Sequence, residues 1–515
     1  MSDSSESILD QSFRKLAVFF LYSGAAWLLL GTLLALLAAT KIVTPALLSD
    51  WEWMSYGRLR PAFVNALVYG WGGNLAFGAT LWLLARLSWA EIPYPSIAVL
   101  TGMSWNGAVS LGVIGILAGQ GTPFSLLEMP PHVSILLYCS FLGLAAWCII
   151  IFHTRLERET YVTQWFAIGS LFWFGLTYYL GNWGLFWEPL RGTVQSVAAS
   201  WVAQNILWLW LTPVAFGIAY YLVPKTLGIA IRGYSMAFYG FLSLALIAPW
   251  TGLVELRGGP VPEWIPSVGS VMAVAMFFPV TVFAGNVLGT ACGNLQKAWD
   301  NVSLRFVIAG TLLFTVCAYL GILFSFPSLA SVTQFSLLGN FQFNYLIHGL
   351  FGMVAFGLAY YWLPLLFDGR RPSDLMVSTH FWVALSGVSA LLAASVWGGF
   401  AGGSIANLGT GDWAQATKPF HALAMAGEGM VFLSSILFAV NLYLAIGCPL
   451  TACCPKAEEP QETIDVEAEE SEEGADKLSD DELVAKKSMH LTTVTFILAT
   501  ILVIAFAAVV FTLIL

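Results

Sequence analysis

A histidine and a glutamate inside one apolar stretch are the residues of this sequence best suited to proton chemistry. His421 and Glu428 lie seven positions apart in KPFHALAMAGEGMVF. Seven residues make about two turns of an α-helix, so the imidazole and the carboxylate are expected on one face. A buried carboxylate beside an imidazole can relay protons, which makes the pair a candidate proton path. The alternative is a glutamate that only hydrogen-bonds to a neighbouring helix.

Three more polar residues stand in or beside apolar runs. The stretch FQFNYLIHGLFGMVAFGLAYYWLP opens with Gln342 and Asn344, two amides that are costly to leave unpaired in hydrocarbon. Glu255 follows an apolar run that ends near residue 254, and it is a third candidate for the proton path. Arg257 offers a simpler explanation, because the two opposite charges could pair.

The elements that position these residues must cross a membrane. The chain has 58% hydrophobic and only 10% charged residues, with a mean hydropathy of +0.77, which excludes a soluble globular protein. Apolar runs long enough for a bilayer of roughly 30 Å recur along the chain. They fall near residues 13–40, 61–88, 97–119, 133–153, 161–183, 195–222, 233–254, 265–290, 304–326, 340–366, 377–399, 422–447 and 490–515. The sequence therefore predicts an all-α polytopic membrane protein, with a bundle of twelve helices and one additional C-terminal helix.

Three regions are predicted along the chain. Residues 1–450 are expected to form the membrane domain, residues 451–488 an acidic disordered cytoplasmic linker, and residues 489–515 an additional transmembrane helix. The linker carries much of the net charge of -9, so this acidity gives no reason to expect a nucleic-acid partner. Lysine and arginine are more frequent in the loops on the side of the N-terminus, which predicts a cytoplasmic N-terminus.

Several motifs occur in an order typical of one family of membrane proteins. They are GRLRPAFVNALVYGWGGN (57–74), GTVQSVAASWVAQNILWLWLTPVAFGIAYYLVPK (192–225), RGYSMAFYGFLSLALIAPWTGLVELRGGPVPEW (232–264) and KAWDNVSLRF (297–306). Together with residues 341–364 and Asn441, they give a chain that resembles the catalytic subunit (subunit I) of cbb-type cytochrome c oxidases, the C family of the haem-copper oxidase superfamily. The resemblance covers helices one to twelve and implies the subunit I fold.

The resemblance also implies where metal ligands would stand. The family holds two b-type haems and a copper ion on six histidines, because imidazole is a good ligand for both metals. The resemblance places the low-spin haem ligands at Phe63 and Asn344, the high-spin haem ligand at Gln342, the copper ligands at Gln204, Val254 and Glu255, and an active-site tyrosine at Ala248. None of these positions carries the family's residue, so neither haem nor copper is expected as a cofactor. The sequence also lacks a CxxCH motif for covalent haem attachment.

Two expectations concern the space that the porphyrins would occupy. Phe63, Trp250 and Val254 are expected to fill it, and the alternative is a new small-molecule pocket in which Gln342, Asn344 and Gln204 hydrogen-bond to one another or to water. His348 follows Asn344 by four residues and lies on the same helix face. It is either a displaced haem ligand or a hydrogen-bonded core residue.

Three functions remain open at this point. The first is a degenerate, non-redox subunit that serves as a scaffold or a proton- or ion-conducting part of a respiratory complex, with other membrane subunits as partners. The second is an active terminal oxidase that reduces oxygen with electrons from cytochrome c, and the third is a stand-alone ion transporter on the same fold. Intrinsic oxidase activity is not expected without the ligands. The resemblance implies a bacterial inner (cytoplasmic) membrane as the location.

Overall fold

The computed structural model describes residues 3–157, 159–367, 369–409 and 411–447. The described residues form helices and loops, with no β-strand among them. The predicted acidic linker at 451–488 and the predicted additional helix at 489–515 lie outside the described residues. An all-α fold is thus confirmed for the membrane domain.

The described residues contain eighteen α-helices in chain order. They are α1 (Asp3–Val43), α2 (Tyr56–Asn65), α3 (Gly73–Ser88), α4 (Pro95–Leu117), α5 (Pro131–His153), α6 (Val162–Asn182), α7 (Thr193–Ile206), α8 (Thr212–Leu227), α9 (Tyr234–Thr251), α10 (Trp264–Ala275), α11 (Phe277–Cys292), α12 (Leu295–Asp300), α13 (Val302–Phe324), α14 (Pro327–Thr333), α15 (Phe341–Phe343), α16 (Met353–Leu366), α17 (Asp374–Leu408) and α18 (Trp413–Leu442).

Three of the long helical runs contain a π-helical segment in their interior. The segments Ala66–Gly72, Leu207–Leu211 and Asn344–Gly352 join α2 to α3, α7 to α8 and α15 to α16. Every residue of the three segments is buried. A π-helical turn inserts an extra residue into an α-helix and is often found at functional sites. These three runs are also the ones that carry Phe63, Gln204, Gln342 and Asn344.

Ten helical spans in the described residues are long and apolar enough to cross a membrane. The two remaining spans of the predicted bundle coincide with the helical run at residues 56–88 and with α6. The most apolar part of Thr193–Leu227 is 100% buried and that of Leu337–Leu366 is 83% buried, whereas the corresponding part of Pro95–Leu117 is 39% buried. The two former spans therefore lie at the centre of the bundle.

Glycine allows α1 to approach the π-helical segment Ala66–Gly72 closely. A Cβ atom on Gly31 would lie 2.8 Å from Leu67 Cδ2, and one on Gly70 would lie 2.6 Å from the Trp27 ring. Small residues at helix contacts permit such packing in membranes. On its other side α1 packs along α18, where a hydrogen bond of 3.0 Å joins Thr32 Oγ1 and Ser435 Oγ. Helix α18, which carries His421 and Glu428, is thereby held against the bundle.

Candidate functional site

Two adjoining cavities lie among the residues that the sequence singled out. The apolar cavity has a volume of about 380 Å³ and is lined by Gln204, Val254, Glu255 and Gln342 together with many apolar side chains. The acidic cavity has a volume of about 280 Å³. It is lined by residues that include Phe63, Asn344, Glu128, His421 and Glu428, together with Gln204, Glu255 and Gln342. All six positions of the expected metal ligands thus face one cavity or both.

A chain of hydrogen bonds between side-chain amides lies where the two cavities meet. Gln342 Nε2 donates to Gln204 Oε1 at 2.6 Å, and Gln204 Nε2 donates to Thr251 Oγ1 at 2.6 Å. Thr251 Oγ1 in turn donates to the carbonyl oxygen of Ala248 at 2.9 Å. The alternative in which Gln342 hydrogen-bonds to Gln204 is thus found in the structure. Asn344 does not join this chain, since its Nδ2 atom donates to Ser395 Oγ at 3.4 Å.

The expectation that bulky residues fill the porphyrin space is wrong for two of the three residues. Phe63 lines the acidic cavity and Val254 lines the apolar cavity, and neither side chain closes the space that it faces. The apolar cavity lies within the range of roughly 300–1,000 Å³ that is typical of small-molecule sites. Trp250, in α9, is not among the lining residues of either cavity. The alternative of an open pocket therefore describes the structure better.

His421 and Glu428 both face the acidic cavity, as their spacing predicted. Glu428 is only 9% exposed, and its Oε2 atom has no hydrogen-bond partner among the described residues. Glu255 lines both cavities. The expected pairing of Glu255 with Arg257 is not found between these two described residues, because Arg257 Nη2 donates to Ser270 Oγ at 2.6 Å. A buried carboxylate without a partner beside an imidazole is suited to proton exchange.

Glu128 also lines the acidic cavity, although no sequence pattern indicated this role. It lies in the loop between α4 and α5 and is 7% exposed, with Asn65 Nδ2 donating to its Oε2 atom at 2.8 Å. Burial raises the pKa of Glu128 to about 7, because desolvation disfavours the charged form, and the Asn65 hydrogen bond and Arg60 oppose that rise. Only the three-dimensional path of the loop brings this carboxylate inside.

His348 faces neither of the two cavities. It lines a space of about 20 Å³ with Trp71, Met353 and Phe356, which is room for about one water molecule. Its ring meets that of Phe343 at an angle of 81°, with 6.1 Å between centroids. The surroundings of His348 have no room for a macrocycle, and they match those of a core residue better than those of a displaced haem ligand.

A third polar cluster lies at the other end of the central helix. Asn441 Nδ2 donates to the Tyr360 hydroxyl at 2.8 Å, and this hydroxyl lies 2.8 Å from His380 Nδ1. The Tyr360 hydroxyl thus bridges Asn441 and His380 within hydrogen-bonding distance of both. His380 is 0% exposed, with the rings of Phe306, Phe356 and Phe438 4.6–5.7 Å from its own. This cluster is part of the packed core.

The lining of the two cavities does not fit a haem–copper centre. Haem iron and copper in such centres take imidazole nitrogens, and amide groups are poor substitutes. Of the histidines that the structure describes, only His421 lines either cavity. Gln204 accepts from Gln342 and donates to Thr251, so both polar atoms of its amide are already engaged. Within the described ranges, no group of three His, Cys, Asp or Glu residues could hold a metal ion.

Comparisons with known proteins agree with the fold. The model of the family "Cytochrome C and Quinol oxidase polypeptide I" matches residues 15–431. The chain is 24% identical to the cbb3-type cytochrome c oxidase subunit CcoN1 of Stutzerimonas stutzeri, over 82% of this chain and 92% of the relative. It is 23% identical to cytochrome c oxidase subunit 1 of Rhodobacter capsulatus, over 82% and 83% of the two chains.

A similar fold is found in a solved structure of a haem-copper terminal oxidase dimer. That chain superposes with a TM-score of 0.63 at 11% sequence identity, over 87% of this chain and 85% of the other. This likeness supports the architecture alone, whereas the family match extends over most of the sequence. The chain is therefore a multi-pass membrane protein that belongs to the cytochrome c and quinol oxidase polypeptide I family.

Proposed function

We propose that this chain is a subunit of a respiratory-type membrane complex that binds neither haem nor copper and conducts protons through its acidic cavity. The single observation that carries the proposal is the lining of that cavity. Glu428, with an unpartnered carboxylate oxygen, shares the cavity with His421 in the space where the resemblance places a haem.

The loss of the redox centres is the first step of this proposal. The resemblance places the six ligands at Phe63, Gln204, Val254, Glu255, Gln342 and Asn344. A phenyl ring and an isopropyl group have no donor atom, and Gln204 and Gln342 are committed to each other. Asn344 donates to Ser395. A subunit built in this way has no centre at which oxygen can be reduced.

Proton transfer is the second step. The acidic cavity has room for several water molecules, and these can carry protons between the titratable groups that line it. Glu428 is the first candidate for the group that takes up and releases the proton, and His421 is the relay on the same helix. Glu255 is a third group on the path, because it lines the acidic cavity and the neighbouring apolar cavity. The driving force is an existing gradient or a partner subunit.

Two other functions compete with this proposal. The relatives named above are cytochrome c oxidase subunits, so overall similarity favours an active terminal oxidase. That function requires a ligand set that the cavity residues do not offer. A stand-alone ion transporter uses the same cavity and differs only in lacking partner subunits. We favour a complex in the bacterial inner membrane, with other membrane subunits as partners and a cytoplasmic N-terminus.

Proton flux into reconstituted vesicles tests the proposal. The parent chain, alone and with co-purified subunits, should acidify vesicles under an imposed potential, and Glu428→Gln should reduce the flux to the leak of protein-free vesicles. The substitution keeps the shape and the hydrogen bonding but removes the titration. Glu263→Gln is the matched control, because Glu263 is exposed and lines neither cavity. Parent-like flux from Glu428→Gln would exclude this carboxylate, and no flux from any form would leave only the scaffold function.

A further inference from the structure

The apolar cavity carries one carboxylate and no basic side chain. Its lining includes Glu255 but no lysine, arginine or histidine. The nearest arginine in sequence, Arg257, directs its guanidinium to Ser270, and Arg60 lines only the acidic cavity. In the described part of the chain, no ion pair or side-chain hydrogen bond engages the Glu255 carboxylate. The wall of this cavity thus carries one carboxylate and no basic group to pair with it.

Hydrogen-bonding oxygens line the same cavity as the Glu255 carboxylate. Gln204, Gln342 and Thr251 line the apolar cavity together with Glu255. The Nε2 donors of the two glutamines are engaged within the amide chain, at 2.6 Å each. The oxygen-rich end of the cavity therefore offers acceptors, which suits a ligand that brings donors and a positive charge.

The remaining wall is aromatic and apolar. The rings of Phe324 and Phe341 lie 5.7 Å apart, those of Phe341 and Tyr345 5.3 Å, and those of Tyr345 and Trp208 6.4 Å, all between centroids. These four rings form a continuous surface along the cavity. Aromatic faces attract cations as well as apolar bodies. The wall and the carboxylate thus favour the same kind of ligand.

We propose that the apolar cavity binds a lipophilic organic cation, in which a protonated amine meets Glu255 and an aromatic or aliphatic body lies along the four rings. The cavity volume of about 380 Å³ suits a molecule of moderate size. This site shares Glu255, Gln204 and Gln342 with the acidic cavity that carries the proposed proton path. Its test is binding, so it succeeds or fails independently of proton conduction.

Phe335 marks the mouth of this site. It lines the cavity while its side chain is 85% exposed, so it lies where the cavity opens. Its backbone has φ of 64°, in the left-handed region that a phenylalanine rarely adopts. The flanking Gln334 holds the loop in place, because its Nε2 atom donates to the carbonyl oxygens of Glu255 and Arg257 at 2.9 and 2.7 Å. An aromatic ring is thereby presented at the entrance beside the acidic residue.

The test compares two probes that differ in charge. The purified chain in nanodiscs of uncharged lipid is titrated with 9-aminoacridine, a planar cation at neutral pH, and with acridine, its neutral analogue, and binding is followed by fluorescence. The parent chain should bind the cation at least about tenfold more tightly than the neutral probe, as expected for a ligand charge paired with a carboxylate on the cavity wall. Glu255→Gln should abolish this preference and leave the binding of acridine unchanged.

A cavity-filling variant locates the site. A Cβ atom on Gly321 would meet only Tyr345 Oη, at 3.8 Å, so Gly321→Leu extends a side chain into the cavity and should abolish binding of both probes. Gly285→Leu is the matched control, because nothing lies within 4 Å of its Cβ position and Gly285 lines neither cavity. Equal affinity of the parent for the two probes would overturn the proposal. Parent-like binding by Gly321→Leu would do the same.

Discussion

The two ends of the central helical run at residues 341–366 show two ways of placing polar groups inside a membrane protein. At the Tyr360 end, Tyr360, His380 and Asn441 form a hydrogen-bonded cluster packed among aromatic rings. At the Gln342 end, polar side chains face two cavities with a combined volume of several hundred cubic ångströms. We call the closely packed Tyr360 end the solid end and the cavity-lined Gln342 end the open end.

The difference indicates which end of the helical run can take up and release water or a ligand. A packed cluster tolerates little change, because each polar atom relies on one partner and each ring on its neighbours. Polar groups that line a cavity can use water as a substitute partner. The solid end is therefore expected to determine stability, and the open end to carry binding and proton movement.

Removal of one aromatic ring from each end should have unequal effects on stability. Phe356 packs against Trp71, Phe306 and Phe438, with 4.9–5.8 Å between ring centroids. Phe356→Ala should lower the free energy of unfolding by about 3–5 kcal/mol, because it leaves a cavity in a close-packed core. Phe63→Ala only enlarges an existing cavity and should cost less than about 1 kcal/mol. Thermal unfolding in detergent measures both, and equal losses would contradict the division.

The buried carboxyl group of Glu128 should make the stability of the folded protein depend on pH. Its pKa is about 7 in the folded protein and 4.5 in the unfolded chain, because burial favours the protonated form. The folded state thus binds more protons between these values, so the stability contributed by Glu128 is complete below about pH 4.5 and falls as the pH rises to about 7. The loss should reach about 3 kcal/mol at most.

Variants of Glu128 and of an exposed glutamate provide the comparison. Melting temperatures between pH 5 and pH 8 should fall less steeply for Glu128→Gln than for the parent, because the amide keeps an uncharged group at this position. Glu91→Gln is the control, since Glu91 is exposed in the neighbouring loop and should leave the parent slope unchanged. Identical slopes for the parent and Glu128→Gln would show that Glu128 does not hold its proton to higher pH.

Loss of one side-chain amide from each end should also change the free energy of unfolding unequally. Asn441→Leu removes the donor to the Tyr360 hydroxyl in a dry core, and it should cost about 1–2 kcal/mol. Gln342→Leu removes the donor to Gln204 Oε1, but this oxygen lies at a cavity where water can replace the amide. Its cost should be under about 0.5 kcal/mol. A larger loss for Gln342→Leu than for Asn441→Leu would mean that the open end is as rigid as the solid one.

Hydropathy and spacing were sufficient to predict the bundle and one face of α18. The apolar runs predicted the spans because an isolated backbone must hydrogen-bond to itself in lipid. The seven-residue spacing placed His421 and Glu428 on one side for purely geometric reasons. The pairing of Gln204 with Gln342 followed from the resemblance, which put both residues at one site.

Packing and loop paths were not predictable in this way. Whether Phe63 and Val254 fill or merely line a space depends on distances between helices, which no local pattern reports. The burial of Glu128 depends on the course of the loop between α4 and α5. The π-helical segments also escaped prediction, because one extra residue in an apolar helix changes its periodicity very little. The missed features are thus those that long-range contacts determine.

The central claim is that this member of the oxidase family holds no redox centre, and one measurement tests it most directly. The purified chain is examined by a reduced-minus-oxidised absorption spectrum, with haem extraction and copper analysis normalised to protein. We expect no b-type bands and less than about one haem or copper per ten chains, because the cavities lack opposed imidazoles. One haem per chain, with a Soret band that shifts on reduction, would contradict it.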